Sequence, residues 1–214
     1  MEFSTGMIVS SFVILVFGLL HLWGAYSNKK WLFYLFKPVT TLSIAAMCYY
    51  LAPELNNYVY LILLGLVLST LGDIFLMLPK DRFVPGLVSF LLAHIAYIIA
   101  FAGSFDVTYS WLLILPLVIL ACVIMRVLWP HLGDMSIPVV VYMSIIVSMA
   151  WLSAERYLSF ADTASLFACV GAFVFLFSDA TLAFDRFKKQ FHRGYAFIII
   201  SYYIAQYFIA LSVI

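Results

Sequence analysis

The chain has 214 residues, of which 66% are hydrophobic and only 10% are charged. Its mean hydropathy is +1.13, and a water-soluble domain of this length cannot cover so much apolar surface. The formal net charge of +1 gives no sign of a nucleic-acid-binding surface. The composition therefore predicts an integral membrane protein that has no nucleic acid partner.

A transmembrane helix needs roughly 20 mostly apolar residues, and eight segments of the chain meet that requirement. The predicted helices cover residues 7–26, 35–52, 58–78, 83–102, 110–128, 136–152, 163–184 and 194–213. The connections between them are short and leave no room for a soluble domain. We therefore predict an all-α membrane protein with eight transmembrane helices, in which residues 1–214 form a single integral membrane domain.

The basic residues are distributed unevenly over the two sides of this predicted bundle. Of the 11 Lys and Arg residues, all except Arg156 lie on one side, in alternate connections or at the helix ends beside them. Basic residues concentrate on the cytoplasmic side of membrane proteins. An even number of spans with both termini on the non-cytoplasmic face accounts for this bias, whereas seven spans would scatter it.

The two halves of the chain resemble each other. The matching segments are Gly72-Asp73-x-x-Leu76 with Ser178-Asp179-x-x-Leu182, Asp81-Arg82-Phe83 with Asp185-Arg186-Phe187, and Phe83-x-x-Gly86 with Phe191-x-x-Gly194. An offset of four helices keeps the two copies parallel. The similarity predicts a 4+4 internal repeat about a pseudo-two-fold axis along the membrane normal, an arrangement known among transporters.

Two acidic residues, Asp73 and Asp179, each lie inside an otherwise apolar predicted helix. A charged side chain in hydrocarbon is costly, so it usually faces a protein interior or a watery cavity and has a functional role. At a rise of about 1.5 Å per residue, both acids lie roughly 10 Å below the cytoplasmic boundary. We expect them at one level of the bundle. The competing interpretation is a structural hydrogen bond or an ion pair with Lys37 or Arg82.

Several polar residues of other helices reach a similar or slightly greater depth. They are His94, Tyr97, Tyr142, Tyr202 and Gln206. Together with the two acids they predict a cavity that faces the cytoplasm, and Lys37 and Arg82 are expected to hold a phosphate group there. Structural roles compete, because a buried histidine often bonds a neighbouring helix and most of the 14 tyrosines must be packing or interfacial residues.

The chain lacks nucleophile-elbow, zinc-protease, P-loop and dinucleotide-binding motifs, and no serine stands out as a nucleophile. Its cysteines and histidines do not have metal-ligand spacing, so we expect no metal ion and no cofactor. Two carboxyl groups can instead perform acid-base catalysis. Burial and a neighbouring carboxylate keep one acid protonated while its partner stays ionised as a base. Glycosides and vinyl ethers are substrates that such a pair can cleave.

Motifs spread over nearly the whole chain carry a family resemblance. They are Lys37-Pro38, Leu71-Gly72-Asp73-x-x-Leu76-Met77, Phe83-x-x-Gly86-Leu87, Phe90-x-x-x-His94-x-x-Tyr97, Gly171-Ala172-x-x-Phe175-x-x-Ser178-Asp179-x-x-Leu182-Ala183 and Tyr203-x-x-Gln206. In order and spacing they resemble the motifs of the YhhN-type lysoplasmalogenase family.

This resemblance implies an eight-span membrane hydrolase that cleaves the vinyl ether bond of lysoplasmalogens, giving a fatty aldehyde and a glycerophospho-ethanolamine or -choline. Asp73 and Asp179 match the family's two intramembrane aspartates and are the expected catalytic pair, although the sequence does not decide which is the acid. The expected partners are a lysophospholipid substrate and membrane lipids. The expected substrate-binding residues are Lys37, Arg82, His94, Tyr97, Tyr142, Ser178, Tyr202 and Gln206.

Three other functions stay open on the sequence alone. A transporter would use intramembrane carboxylates and parallel half-repeats. An intramembrane aspartyl protease also needs two aspartates, but Thr70 interrupts its Gly-x-Gly-Asp motif, and Ser178 replaces the tyrosine expected before the second acid. A non-catalytic lipid-binding or assembly protein would use the acids structurally. The short loops fit a bacterial inner membrane, and they would also fit an endomembrane protein.

Overall fold

The computed structural model describes residues 5–103, 111–191 and 193–214. In these three ranges the structure contains eight α-helices and no β-strand, which confirms the all-helical prediction. The helices are α1 (Thr5–Tyr26), α2 (Lys30–Leu51), α3 (Asn57–Met77), α4 (Phe83–Ala102), α5 (Trp111–Leu132), α6 (Ser136–Phe160), α7 (Thr163–Ala183) and α8 (Gly194–Leu211). Residue 110, where the predicted fifth helix begins, lies outside the described residues.

Seven helical segments within the described ranges are long and apolar enough to cross a membrane. The fifth is the 49-residue stretch Leu112–Phe160, which contains both α5 and α6. A short 3₁₀ turn, Gly133–Met135, separates these two helices, and Gly133 has a φ of +50° that favours glycine. The protein is therefore a multi-pass integral membrane protein.

Helix α6 extends well beyond its predicted end at residue 152, because its polar residues are accommodated by packing. The indole Nε1 of Trp151 donates to Oε1 of Glu155 at 3.1 Å, and Glu155 is buried. The Arg156 guanidinium lies 4.5 Å from the centre of the Tyr58 ring. Helix α2 likewise begins at Lys30 and not at residue 35.

Within each half of the chain successive helices pack on each other, and the most extensive contacts are those of α3 with α4 and of α7 with α8. Glycines allow both close approaches. A Cβ atom at Gly65 would lie 2.2 Å from the Tyr97 ring, and one at Gly171 would lie 2.8 Å from the backbone nitrogen of Ile209. Helix α4 also packs on α6, and α2 packs on α8. These are the two most extensive helix contacts between the two halves of the described chain.

Candidate active site

A polar cavity of about 490 Å³ opens among α2, α3, α4, α7 and α8. Its volume lies in the range that suits a small ligand. The predicted site residues that line it are Lys37, Asp73, Arg82, Ser178, Asp179 and Tyr202. Two acids that are 106 positions apart in sequence therefore share one cavity, since α3 and α7 both contribute to its wall.

Asp73 is almost fully buried and is surrounded by hydrogen-bond donors. Its Oδ2 accepts from the Thr41 hydroxyl at 2.7 Å and from the Tyr202 hydroxyl at 2.8 Å. The Lys37 ammonium lies 3.7 Å from Oδ1. Lys37 is itself only 4% exposed. Two hydroxyl donors and a neighbouring cation stabilise a carboxylate at this position, and the ion pair with Lys37 is one of the structural alternatives that the sequence left open.

Asp179 has a different environment. The Tyr142 hydroxyl donates to its Oδ2, and Nε2 of His94 lies 3.9 Å from the same oxygen, beyond hydrogen-bond distance. The His94 ring is buried and packs edge-on against the Phe175 ring at 4.5 Å between centroids. The Asp179 side chain keeps 13% exposure. Asp179 therefore has fewer donors than Asp73, but it is more open to the cavity.

Four of the predicted substrate-binding residues do not line the cavity: His94, Tyr97, Tyr142 and Gln206. Tyr97 and Gln206 are fully buried, and the Tyr97 hydroxyl donates to Oε1 of Gln206 at 2.7 Å. Their hydrogen bond joins α4 to α8. Ser178 does line the cavity, but its hydroxyl donates to the Ile198 carbonyl of α8 at 3.0 Å.

Charged and aromatic side chains form the mouth of the cavity. Arg82 is exposed there, and Nη2 of Arg186 bonds Oδ2 of Asp81 at 2.5 Å. This hydrogen bond, with one from the Phe83 backbone N–H, holds the pKa of Asp81 below its ordinary value. The Arg186 guanidinium also lies 4.9 Å from the centre of the Phe83 ring. The mouth therefore combines cationic groups with apolar rings.

Several residues of the site were not predicted from the sequence, among them Thr41 and Tyr195. Thr41 lies one turn after Lys37, so the same face of α2 presents both to Asp73. Tyr195 lines the cavity, and its hydroxyl lies 2.9 Å from Nε2 of the buried His21. The other ring nitrogen of His21 lies 2.7 Å from the Tyr203 hydroxyl. The i, i+4 spacing was the only sequence signal for Thr41, and none singles out Tyr195 among the tyrosines.

Comparison with known proteins connects this site to a family. The human lysoplasmalogenase TMEM86B is 32% identical to the chain over 191 residues, which is 89% of this chain and 79% of the human protein. The bovine lysoplasmalogenase TMEM86A is 36% identical over 159 residues, 72% of this chain and 65% of the bovine protein. The uncharacterized membrane protein YhhN of Escherichia coli O157:H7 is 27% identical over 188 residues, 88% of this chain and 90% of that protein.

No solved structure matches the chain. The sequence model of the YhhN family, however, matches residues 32–213, a range that includes both acids and every residue that lines the cavity. This match confirms the resemblance seen in the motifs. The chain belongs to the YhhN family.

Proposed function

We propose that this protein is a lysoplasmalogenase, a hydrolase that cleaves the vinyl ether bond of 1-alkenyl lysophospholipids. The observation that carries the proposal is the shared cavity, which Asp73 of α3 and Asp179 of α7 both line. Family membership and the names of the human and bovine relatives support the same activity. The substrate enters from the membrane in which the protein lies.

The proposed binding mode follows from the charges of the cavity. Arg82 is exposed at the mouth and lines the wall, so it is the proposed phosphate ligand. Lys37 is buried against Asp73, and its proposed role is to hold that carboxylate while it adds positive charge to the phosphate end. Tyr202 and Ser178 complete the wall.

The proposed reaction uses only the protein's carboxyl groups and one water molecule. One aspartic acid transfers its proton to the vinyl carbon distal to the ether oxygen, which leaves an oxocarbenium ion. The other aspartate takes a proton from water as the water oxygen bonds to the cationic carbon. The hemiacetal then loses its hydroxyl proton and the glycerol oxygen gains one, which gives the aldehyde and the alcohol and restores both acids.

The proposed topology has eight spans with both termini on the non-cytoplasmic face, in a bacterial inner membrane. On this topology the stretch Leu112–Phe160 crosses twice and turns at Gly133. The α5–α6 packing supports this interpretation, because two helices joined by a short turn can pack on each other only if the chain reverses. The basic residues at the cavity mouth then lie on the cytoplasmic side.

The proposed 4+4 repeat is supported by similar features in the two halves, and the helix caps, glycines and acids among them share one offset. The N-cap residues Asn56 of α3 and Asp162 of α7 both accept from a backbone N–H. The close-approach glycines 65 and 171 and the acids 73 and 179 have the same spacing. Each acid accepts a hydrogen bond from a hydroxyl group of the preceding helix. The donor is Thr41 of α2 for Asp73 and Tyr142 of α6 for Asp179. Each also faces a polar ring from the other half of the chain.

A transporter is the second candidate, because this parallel repeat is a transporter feature. It predicts flux of a lipid across sealed vesicles without any chemical product. The hydrolase predicts free aldehyde from detergent-solubilised protein, where no transport can occur.

The test is a product assay on the purified protein with 1-alkenyl and 1-acyl lysophosphatidylethanolamine. We expect fatty aldehyde from the alkenyl lipid, little hydrolysis of the ester, and activity that survives EDTA. Asp73→Asn and Asp179→Asn should each abolish aldehyde release, whereas Asp134→Asn, at the exposed turn before α6, should not. Near-normal turnover by Asp73→Asn or Asp179→Asn would contradict the two-carboxyl mechanism. Loss of activity in EDTA that zinc restores would indicate a metal hydrolase.

A further inference from the structure

A second, apolar space adjoins the polar cavity. This space, the apolar crevice, lies between α4, α6 and α7. Its deeper part is formed by Met143, Ile146 and Leu176, which are all buried. Apart from Asp179 and Tyr142, which bond each other, its lining side chains are apolar. A crevice of this composition accepts hydrocarbon and rejects a charged headgroup.

The apolar crevice and the polar cavity meet at Asp179. Both spaces are lined by Asp179 together with Phe83 and Phe90. Asp73 and Lys37, by contrast, line only the polar cavity. The boundary between a polar and an apolar compartment therefore runs past the Asp179 carboxyl group. A 1-alkenyl lysophospholipid has the same division at its vinyl ether, since the glycerophosphate lies on one side of this bond and the alkyl chain on the other.

We propose that the apolar crevice between α4, α6 and α7 holds the alkenyl chain of the substrate, with Ile146 setting the chain length that fits. This inference rests on the proposed function, because the chain enters the crevice only if the headgroup occupies the polar cavity. From Tyr142 the crevice continues to Ile146, one helical turn or roughly 6 Å deeper along α6. The vinyl ether then lies at Asp179.

The crevice is narrow, with a free space of about 40 Å³. A chain therefore enters it by displacing flexible side chains. Met143 is suited to this role, because an unbranched thioether with three rotatable bonds adapts to different occupants. Ile146 is β-branched and restricted at χ1, so it moves less than Met143 and limits how far the alkenyl chain extends into the crevice.

The first test compares octadecenyl with butenyl lysophosphatidylethanolamine as substrates, because a four-carbon chain ends before Ile146 and a longer chain passes it. In Ile146→Trp the ring fills the deep end, so the octadecenyl-to-butenyl ratio of kcat/KM should fall about tenfold. In Ile146→Ala the ratio should rise. Val141→Trp, on the exposed face of the same helix at 47% exposure, should leave the ratio unchanged. An unchanged ratio in both Ile146 variants, with thermal unfolding that shows folded protein, would overturn the proposal.

The second test does not depend on catalysis. A saturated 1-alkyl ether lysophospholipid with a diazirine at the chain end has no vinyl carbon to protonate, so it binds without reacting. We expect its photo-crosslinks in peptides of α6 and α7, and Ile146→Trp should reduce them. Crosslinks confined to the exposed apolar groove between α1 and α8, which includes Ile14 and Phe208, would overturn the proposal. If the wild-type protein releases no aldehyde, the proposed function is refuted. The crosslinks would still show whether the alkyl chain of the lipid lies in the apolar crevice, so the two failures can be told apart.

Discussion

At the scale of single residues, the two acids of the cavity differ in what surrounds them. Asp73 accepts two hydroxyl hydrogen bonds and lies beside the Lys37 ammonium. Asp179 accepts one hydroxyl and borders the apolar crevice. Donors and positive charge stabilise a carboxylate, whereas an apolar neighbourhood favours the neutral acid. On this basis Asp179 is the expected proton donor to the chain carbon, and Asp73 is the expected base for water in the polar cavity.

This assignment makes a spectroscopic prediction. At neutral pH, the infrared spectrum of the wild-type protein should contain the carbonyl-stretch band of a protonated carboxyl group. This band should be absent from the spectrum of Asp179→Asn. Asp73→Asn should retain it. Tyr142→Phe should shift the band without removing it, because the hydrogen bond to Asp179 is lost. Loss of the band in Asp73→Asn alone would reverse the two roles.

The Lys37–Asp73 pair predicts a coupling between stability and charge. Lys37→Met leaves a buried carboxylate without its cation and should destabilise the protein by about 3 kcal/mol, the low end for a broken buried pair because the cavity admits water. The double variant Lys37→Met/Asp73→Asn should recover most of this loss in thermal unfolding while remaining inactive. Lys80→Met, in the exposed turn after α3, is the control. Additive losses in the double variant would show that the pair is not coupled.

At the scale of helices, the position of the acids depends on how closely α3 meets α4 and how closely α7 meets α8. Gly171 contacts backbone, since a Cβ there would lie 2.8 Å from the Ile209 nitrogen and 2.9 Å from the Ala205 carbonyl oxygen. Gly65 contacts the Tyr97 ring. Backbone atoms cannot rotate away as a side chain can. The α7–α8 approach is therefore the less tolerant of the two.

We accordingly expect Gly171→Ala to separate α7 from α8 and to cost about 1–3 kcal/mol, the usual range for overpacking. Gly18→Ala is the matched control, because its Cβ would lie 3.5 Å from the Tyr203 ring, an ordinary contact distance. The measurement is the thermal unfolding midpoint of both variants in the same detergent. Equal midpoints would show that the approach at Gly171 is not tight.

The helices and their polar residues differ in how well the sequence predicts them. Asp73 and Asp179 could be predicted because an acid inside an apolar run has few structural explanations. Depth along a helix placed Tyr97 and Gln206 near them, but depth does not give the direction in which a side chain points, and these two point at each other. The end of α6 was misplaced because Glu155 appears in the sequence as a solvated residue, whereas its partner Trp151 is one turn away in space.

At the scale of the whole molecule, the proposed topology puts the charge asymmetry and the cavity mouth on one side of the bundle. Arg82 and Arg186 both line the polar cavity, and on the proposed topology they face the cytoplasm with most other basic residues. An anionic headgroup would then approach through a positively charged surface. On the proposed binding mode the lipid chain enters from within the bilayer, between α4 of one half and α6 of the other.

Reporter fusions test this topology. Alkaline phosphatase is active only outside the cytoplasm, so a fusion after Ile214 should be active and a fusion after Lys189 should be inactive. Green fluorescent protein, which folds in the cytoplasm, should give the opposite pattern at both positions. The reverse result would show that the bundle has the opposite orientation. Equal results at the two positions would show that α8 does not cross the membrane.

The central claim is that a carboxylic acid of the protein protonates a vinyl carbon, and isotope incorporation tests it most directly. The purified protein is incubated with 1-alkenyl lysophosphatidylethanolamine in deuterated water, and the aldehyde is reduced at once and analysed by mass spectrometry. The account predicts an alcohol with one deuterium on the carbon next to the former carbonyl carbon, and no product from Asp179→Asn. An aldehyde without that deuterium, or the same labelled product from Asp179→Asn at the wild-type rate, would contradict it.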